Sequence, residues 1–245
     1  MVSYSAGSCC YQGVKYDGQP KGTLSTLGDF EVYTSHPPNN SNHGLLILTD
    51  IIGCRLTYTQ LIADQFAMHG YVVLMPEIFY GYAVPLNRTG DLDMQKWRIG
   101  GYHPQGINHL PETVDPVVET CLTVMRKLGC KKFGATRYCF GGKYFIRHLK
   151  PGRVDIGYTA HPSHVDESEI KDIECPLAIA AAKRHETEAI LKGLVVNHGF
   201  TVRGDPAIPD VRFAKRSAFI QGVEWFNEHL RNEYFQVELI KRLCI

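Results

Sequence analysis

Apolar positions along the chain follow two different periods. Leu45 to Leu48 and Tyr71 to Met75 are continuous apolar runs closed by polar, Gly or Pro residues. Such runs predict strands buried on both faces in the middle of a parallel sheet. Other stretches carry apolar residues three and four apart. Leu61, Ile62, Phe66 and Met68 predict a helix over Thr57 to His69, closed by Gly70. Val117, Val118, Cys121, Leu122, Met125 and Leu128 predict an amphipathic helix over Val114 to Leu128, stopped by Gly129. Phe219, Ile220, Val223, Trp225, Phe226 and Leu230 predict a helix over Phe213 to Leu230 that packs across the sheet. Asp29 to Thr34 alternates apolar and polar, as an edge strand with one buried face does, and the Pro37–Asn40 turn ends it.

Further short strands are expected at Phe133 to Thr136, Asp155 to Ala160 and Pro176 to Ala182. A short helix over Lys183 to Lys192 and a brief apolar step at Gly193 to Val196 complete the pattern. Residues 1–25, rich in Gly, Ser and Tyr, read as a loop wrapping the surface, and residues 89–112 as a cap-like excursion around Trp97. Strand and helix in alternation mean an α/β class: a mostly parallel central sheet, right-handed crossovers and helices on both faces. At 245 residues one domain accounts for the whole chain.

Composition narrows the chemistry. A net charge of +1 gives no electrostatic reason to bind nucleic acid or an anionic membrane, and no apolar run reaches transmembrane length. The N-terminus lacks a basic segment followed by an apolar core, so no signal peptide is read there. Eight cysteines are scattered without zinc-type spacing, which suits free thiols in a reducing cytoplasm. Cys9 and Cys10 read as packed or idle thiols.

Lys132 to Arg147 carries the densest chemistry. A short strand runs into Arg137-Tyr138-Cys139-Phe140-Gly141, and a helix begins near Gly142. A nucleophile on a sharp strand-to-helix turn is held clear of the sheet, with the helix N-terminus behind it favouring negative charge. Cys139 stands where such elbows usually carry Ser, and it reads as a nucleophile or as a buried structural thiol. Arg137 occupies a position the turn crowds, so its side chain must point outward or distort the elbow; close to the thiol, it would lower the thiol pKa. Thr49-Asp50-Ile51-Ile52-Gly53 follows the Leu45–Leu48 strand at the end where open α/β sheets bind ligands. The Ile51 amide could pair with that of Phe140 to receive an oxyanion, whereas Asp50 is either a loop cap or a site residue. Tyr80, Tyr82 and Arg88, in the loop Glu77 to Arg88, reach the same edge as candidate pocket residues. His198, beside Gly199 after the last apolar step, stands where a general base belongs. The order nucleophile, acid, His fits an α/β-hydrolase.

The chain also resembles the dienelactone hydrolase family, its fungal branch in particular, over residues 9 to about 230. The matching segments are CCYQGV, TDIIG, GYVVLMPEIF, AVPLNR, RYCFGGKY, AHPS, AIAAA and HGFTVRGD. The resemblance implies a Cys-His-Asp triad that hydrolyses a lactone or small ester, with Cys139 as nucleophile and His198 as base. It implies that Asp50 is the carboxylate near the resting thiol and that Arg203 grips a substrate carboxylate. Fungal relatives occur beside polyketide pathways, which suggests secondary metabolism. The family places its Asp just after the AIAAA strand; here Ala182 runs into Lys183-Arg184-His185-Glu186, and Glu186 is the nearest carboxylate by position or a solvated helix residue.

The expected function is therefore hydrolysis of a small ester or lactone through a Cys139 thioester, without cofactor or metal, by a monomer or dimer in the cytoplasm. Two rivals stand beside it. One is a weak or inactive relative that binds a small acid or a protein. The other is a thiol redox protein, which needs a resolving cysteine near Cys139; the sequence offers no obvious one.

Overall fold

The computed structural model describes residues 10–160, 165–180 and 199–231. Among these residues seven strands form one sheet: β1 (Thr23–Leu27), β2 (Phe30–Ser35), β3 (His43–Leu48), β4 (Val72–Pro76), β5 (Lys132–Tyr138), β6 (Ile156–Ala160) and β7 (Leu177–Ala180). Their order is β1-β2-β4-β3-β5-β6-β7. The β1–β2 and β2–β4 pairs are antiparallel and the remaining pairs parallel. The helices are α1 (Thr57–Met68), α2 (Met94–Arg98), α3 (Pro111–Lys127), α4 (Gly142–Arg147), α5 (Glu167–Lys171), α6 (Phe200–Arg203) and α7 (Pro209–Phe226), which runs on as one π-helical turn to Arg231.

The two faces of the sheet carry separate cores. On one face α3 lays Val114, Val117, Val118, Cys121, Leu122 and Met125 against Leu46, Leu48 and Ala135, with Phe145 of α4 beside them. On the other, Ile62 and Phe66 of α1 and Val223 and Phe226 of α7 cover Leu45, Ile47, Val73 and Met75. Leu45 to Leu48 thus divide between the two cores and are all fully buried, as their unbroken apolar run requires. This is the α/β-hydrolase fold, with β3 and β5 at its centre.

Three expectations from sequence need correction. The segment read as a surface loop, residues 1–25, ends inside β1, which is joined to β2 by a two-residue hairpin with Gly28 at φ 67°. Gly at the first central position lets the turn twist with its strands. Asp29 to Thr34 is therefore not the edge, because β1 lies outside it. Met68, Leu128 and Ile220, assigned to buried helix faces, are exposed, since each sits at the end or flank of its apolar stripe.

What ties the N-terminal segment down is a carboxylate that no periodicity reveals. Asp64 of α1 is buried and accepts from the Lys21 and Gly22 amides, the Tyr33 hydroxyl and Ser35 Oγ at 2.7–3.2 Å. Four donors offset much of the cost of burying that charge.

Candidate active site

β5 delivers the chain to Cys139, which adopts φ 53°. A non-Gly residue in this region carries roughly 1–3 kcal/mol of strain and persists only where its surroundings over-determine it. Here they do. Residues 139–141 form a single 3-10 turn that leads into α4, and the Gly141 amide donates to Thr49 O at 3.0 Å. That bond sets the elbow against the loop after β3, the loop that holds Asp50 and Ile51. The two candidate oxyanion residues, Phe140 and Ile51, are therefore brought to neighbouring loops, and both are buried. The Phe140 ring packs on Phe79, Trp97 and Tyr144 at centroid distances of 5.2–5.5 Å, so the cap excursion reaches the elbow through Trp97 of α2.

Asp50 and Arg203 form a buried ion pair: Arg203 Nε donates to Asp50 Oδ2 at 2.7 Å, with both side chains 1% exposed. Asp50 Oδ1 accepts from the Ile52 amide at 3.1 Å, the bond that the loop-cap reading of Asp50 expects. Burial pulls the Arg203 pKa down, but the field of Asp50, helped by the Cys139 and Cys10 thiols, holds it above its ordinary value. A further bond, Arg203 Nη1 to Gln12 O at 3.0 Å, ties the guanidinium to the N-terminal segment. Gly199 (φ 84°) makes room for it: a Cβ there would lie 2.2 Å from Arg203 Nη2.

Arg137 takes neither course expected of it. Its side chain turns inward and is fully buried, and Nη1 donates to the Cys139 carbonyl at 2.8 Å. The guanidinium lies over the Phe145 ring and occupies the space a Cβ on Gly142 would need, 1.5 Å from Nη1. Its Nε and Nη2 have no hydrogen-bond partner among the described residues. Burial pushes its pKa down to about 9, which leaves it charged at neutral pH.

The structure also brings in a residue that sequence reasoning set aside. Cys10 Sγ lies 3.6 Å from Cys139 Sγ, and both thiols are buried. Local sequence gives no signal for this contact, because it joins positions 129 apart. Tyr82 and Arg88 are half-buried in the loop after β4. The Tyr82 ring packs tilted against His103 at 4.3 Å, and no described contact joins either side chain to Cys139. His198, Glu186, the helix expected over 183–192, the step at 193–196 and the C-terminal segment 232–245 lie outside the described residues. A cavity of about 250 Å³ opens among side chains of the α1–α7 face, lined by Tyr58, Tyr138, Tyr158 and Lys215. Its wall includes Tyr138, the residue before Cys139, whereas the Cys139 side chain packs in the core on the other face.

Comparisons with known proteins bear on the family and the fold. The model of the dienelactone hydrolase family matches residues 30–189. Hydrolase tropI of Talaromyces stipitatus is 58% identical, over 95% of this chain and the whole of the relative. Hydrolase pyvD of Aspergillus violaceofuscus is 41% identical over 94% of this chain and its own whole length. Among solved structures, a putative dienelactone hydrolase from Klebsiella pneumoniae matches with a TM-score of 0.60 at 10% identity. That match covers 84% of this chain and 97% of its own, a likeness of fold. Elbow, sheet order and family match converge: the chain belongs to the dienelactone hydrolase family.

Proposed function

We propose that the protein hydrolyses a lactone or small carboxylic ester through Cys139. The observation that carries this reading is the strained Cys139 elbow held beside the Asp50–Arg203 pair. His198 takes the Cys139 thiol proton, the thiolate attacks the carbonyl carbon, and the Phe140 and Ile51 amides receive the developing oxyanion. Collapse expels the alkoxide, which His198 protonates; the same imidazole then takes a proton from the water that cleaves the thioester. Glu186, the carboxylate nearest by position, orients that imidazole. A thiol depends on such an acid less than a hydroxyl does, being the better nucleophile at neutral pH.

Arg203 suits a substrate that bears its own carboxylate. The guanidinium is already buried, charged and engaged by one carboxylate, so an incoming anion exchanges with Asp50 instead of being desolvated against nothing. Tyr82 and Arg88 line the approach from the loop after β4. The setting we infer is cytoplasmic secondary metabolism, given that the two relatives named above are hydrolases of fungi.

The test is hydrolysis of an activated ester and of a dienelactone by wild type, Cys139→Ala and His198→Ala, with intact mass recorded for a trapped adduct. Turnover lost in both variants, with an acyl group on Cys139, is the expected result. Wild-type rates no faster than the variants would sink the reading and leave a small-acid-binding relative in its place.

A further inference from the structure

The resting site holds two thiols, and the hydrolysis proposed above uses one. Cys10 reaches Cys139 because the segment around it is tied on two sides. On one side the Asn87 amide donates to Tyr11 O at 2.7 Å, while the Asn87 side chain donates to Gly13 O and accepts from Gly13 N at 2.9 Å each. On the other, Arg203 Nη1 donates to Gln12 O and Val14 N donates to Arg203 O, both at 3.0 Å. These bonds lie within the four residues that follow Cys10 and hold it over the elbow. Among the described cysteines no other pair makes such a contact: Cys54 and Cys121 are pushed up to about 12 by burial, as unreactive packed thiols are.

We infer that Cys10 and Cys139 form a peroxide-reactive dithiol, a site of reversible oxidation in which Cys10 is the resolving cysteine. The Cys139 thiolate attacks a hydroperoxide, forming an S–O bond as the O–O bond breaks; Cys139 becomes a sulfenic acid and hydroxide or alkoxide leaves. The Cys10 thiol then attacks the Cys139 sulfur, the S–S bond forms, and the sulfenic oxygen leaves as water carrying the Cys10 proton. Two thiols and one hydroperoxide thus give one disulfide, one water and one alcohol (water again, for hydrogen peroxide). A dithiol or glutathione-type reductant reverses the step by thiol–disulfide exchange. The disulfide stitches the segment around Cys10 onto the nucleophile, so the oxidised protein is blocked, while Cys139 is protected from irreversible over-oxidation.

The inference rests on Cys139 being the reactive thiol of the proposed hydrolysis, but its test needs no substrate. Fully reduced protein is treated with one equivalent of hydrogen peroxide, then denatured for thiol counting, intact mass and a non-reducing peptide map. Wild type is expected to lose two thiols and the mass of two hydrogens, to yield a Cys10–Cys139 linked peptide, and to recover both thiols with dithiothreitol. Cys10→Ser and Cys10→Ala, each checked for folding by circular dichroism, are expected to lose a single thiol and to take up oxygen on Cys139 instead. Wild type that gains oxygen without losing a thiol pair overturns the inference. So does a Cys10→Ala protein that still forms the disulfide, which would assign the partner to Cys9. A protein that forms the pair yet hydrolyses nothing refutes the hydrolase reading alone.

Discussion

Two arginines lie inside the protein next to Cys139, and they meet the cost of burial in opposite ways. Arg203 is 2% exposed and spends its charge on Asp50, on Gln12 O and on the field of the two thiols. Arg137 is 0% exposed and has one carbonyl acceptor, one aromatic face and no carboxylate among its described contacts. The first holds three remote parts of the chain together: the N-terminal segment, the loop after β3 and α6. The second braces only the turn two residues away. Burial therefore says little by itself about what an arginine contributes; the partner decides.

The largest test of that contrast removes the partner. Asp50→Asn keeps an acceptor for the Ile52 amide but leaves Arg203 buried without its counter-charge. A loss of about 3–5 kcal/mol is expected, read from the urea midpoint at unchanged slope. A loss under about 1 kcal/mol would mean the pair adds little to the folded state.

The next effect concerns a buried base that escapes the problem by staying neutral. His109, against Trp97 and Phe79, is pushed down to about 4, first by burial and then by His103, against a hydrogen bond to the Asn108 backbone that raises it. Its folded pKa lies below the unfolded value of about 6.5. Between those pH values the unfolded chain holds a proton that the folded protein refuses. The contribution is thus complete above pH 6.5 and lost as the pH falls to about 4, a change of about 3 kcal/mol. Urea unfolding at pH 7 and pH 4 should give this loss in wild type and in Arg137→Met alike, and a loss smaller by that amount in His109→Phe.

The smallest effect belongs to Arg137 itself. Arg137→Met keeps the length and removes from the core a charge that has no carboxylate partner among the described residues, so stability should hold or rise by about 1 kcal/mol. A drop of several kcal/mol would mean that the Nη1 bond to the Cys139 carbonyl, not apolar packing, holds the elbow at φ 53°.

Much of the fold is legible in the sequence because its signals are local. The α3 stripe from Val114 to Met125 is buried where its spacing puts it, and Leu45 to Leu48 form the central strand their composition demands. The strand-to-helix turn at Cys139 is likewise readable, since its Gly residues and the order of its neighbours lie within a few positions. The β1–β2 hairpin is missed because Thr23 to Leu27 is an exposed edge with too few apolar residues to register as a strand. Met68 and Ile220 are misassigned because a helical period marks an apolar stripe, not the width of the surface that covers it.

The site divides along the same line. Sequence alone determined the central strands of the sheet and the strand-to-helix turn at Cys139, all set by backbone preference and hydrophobic period within short windows. Only the tertiary structure decided which groups meet there: Cys10 on Cys139 across 129 positions, and Arg203 on Asp50 across 153. It also turned Arg137 inward, because Gly142 leaves a space that only the packed elbow defines. Such contacts depend on how remote segments fold back on one another, and no periodicity along the chain encodes a partner that far away.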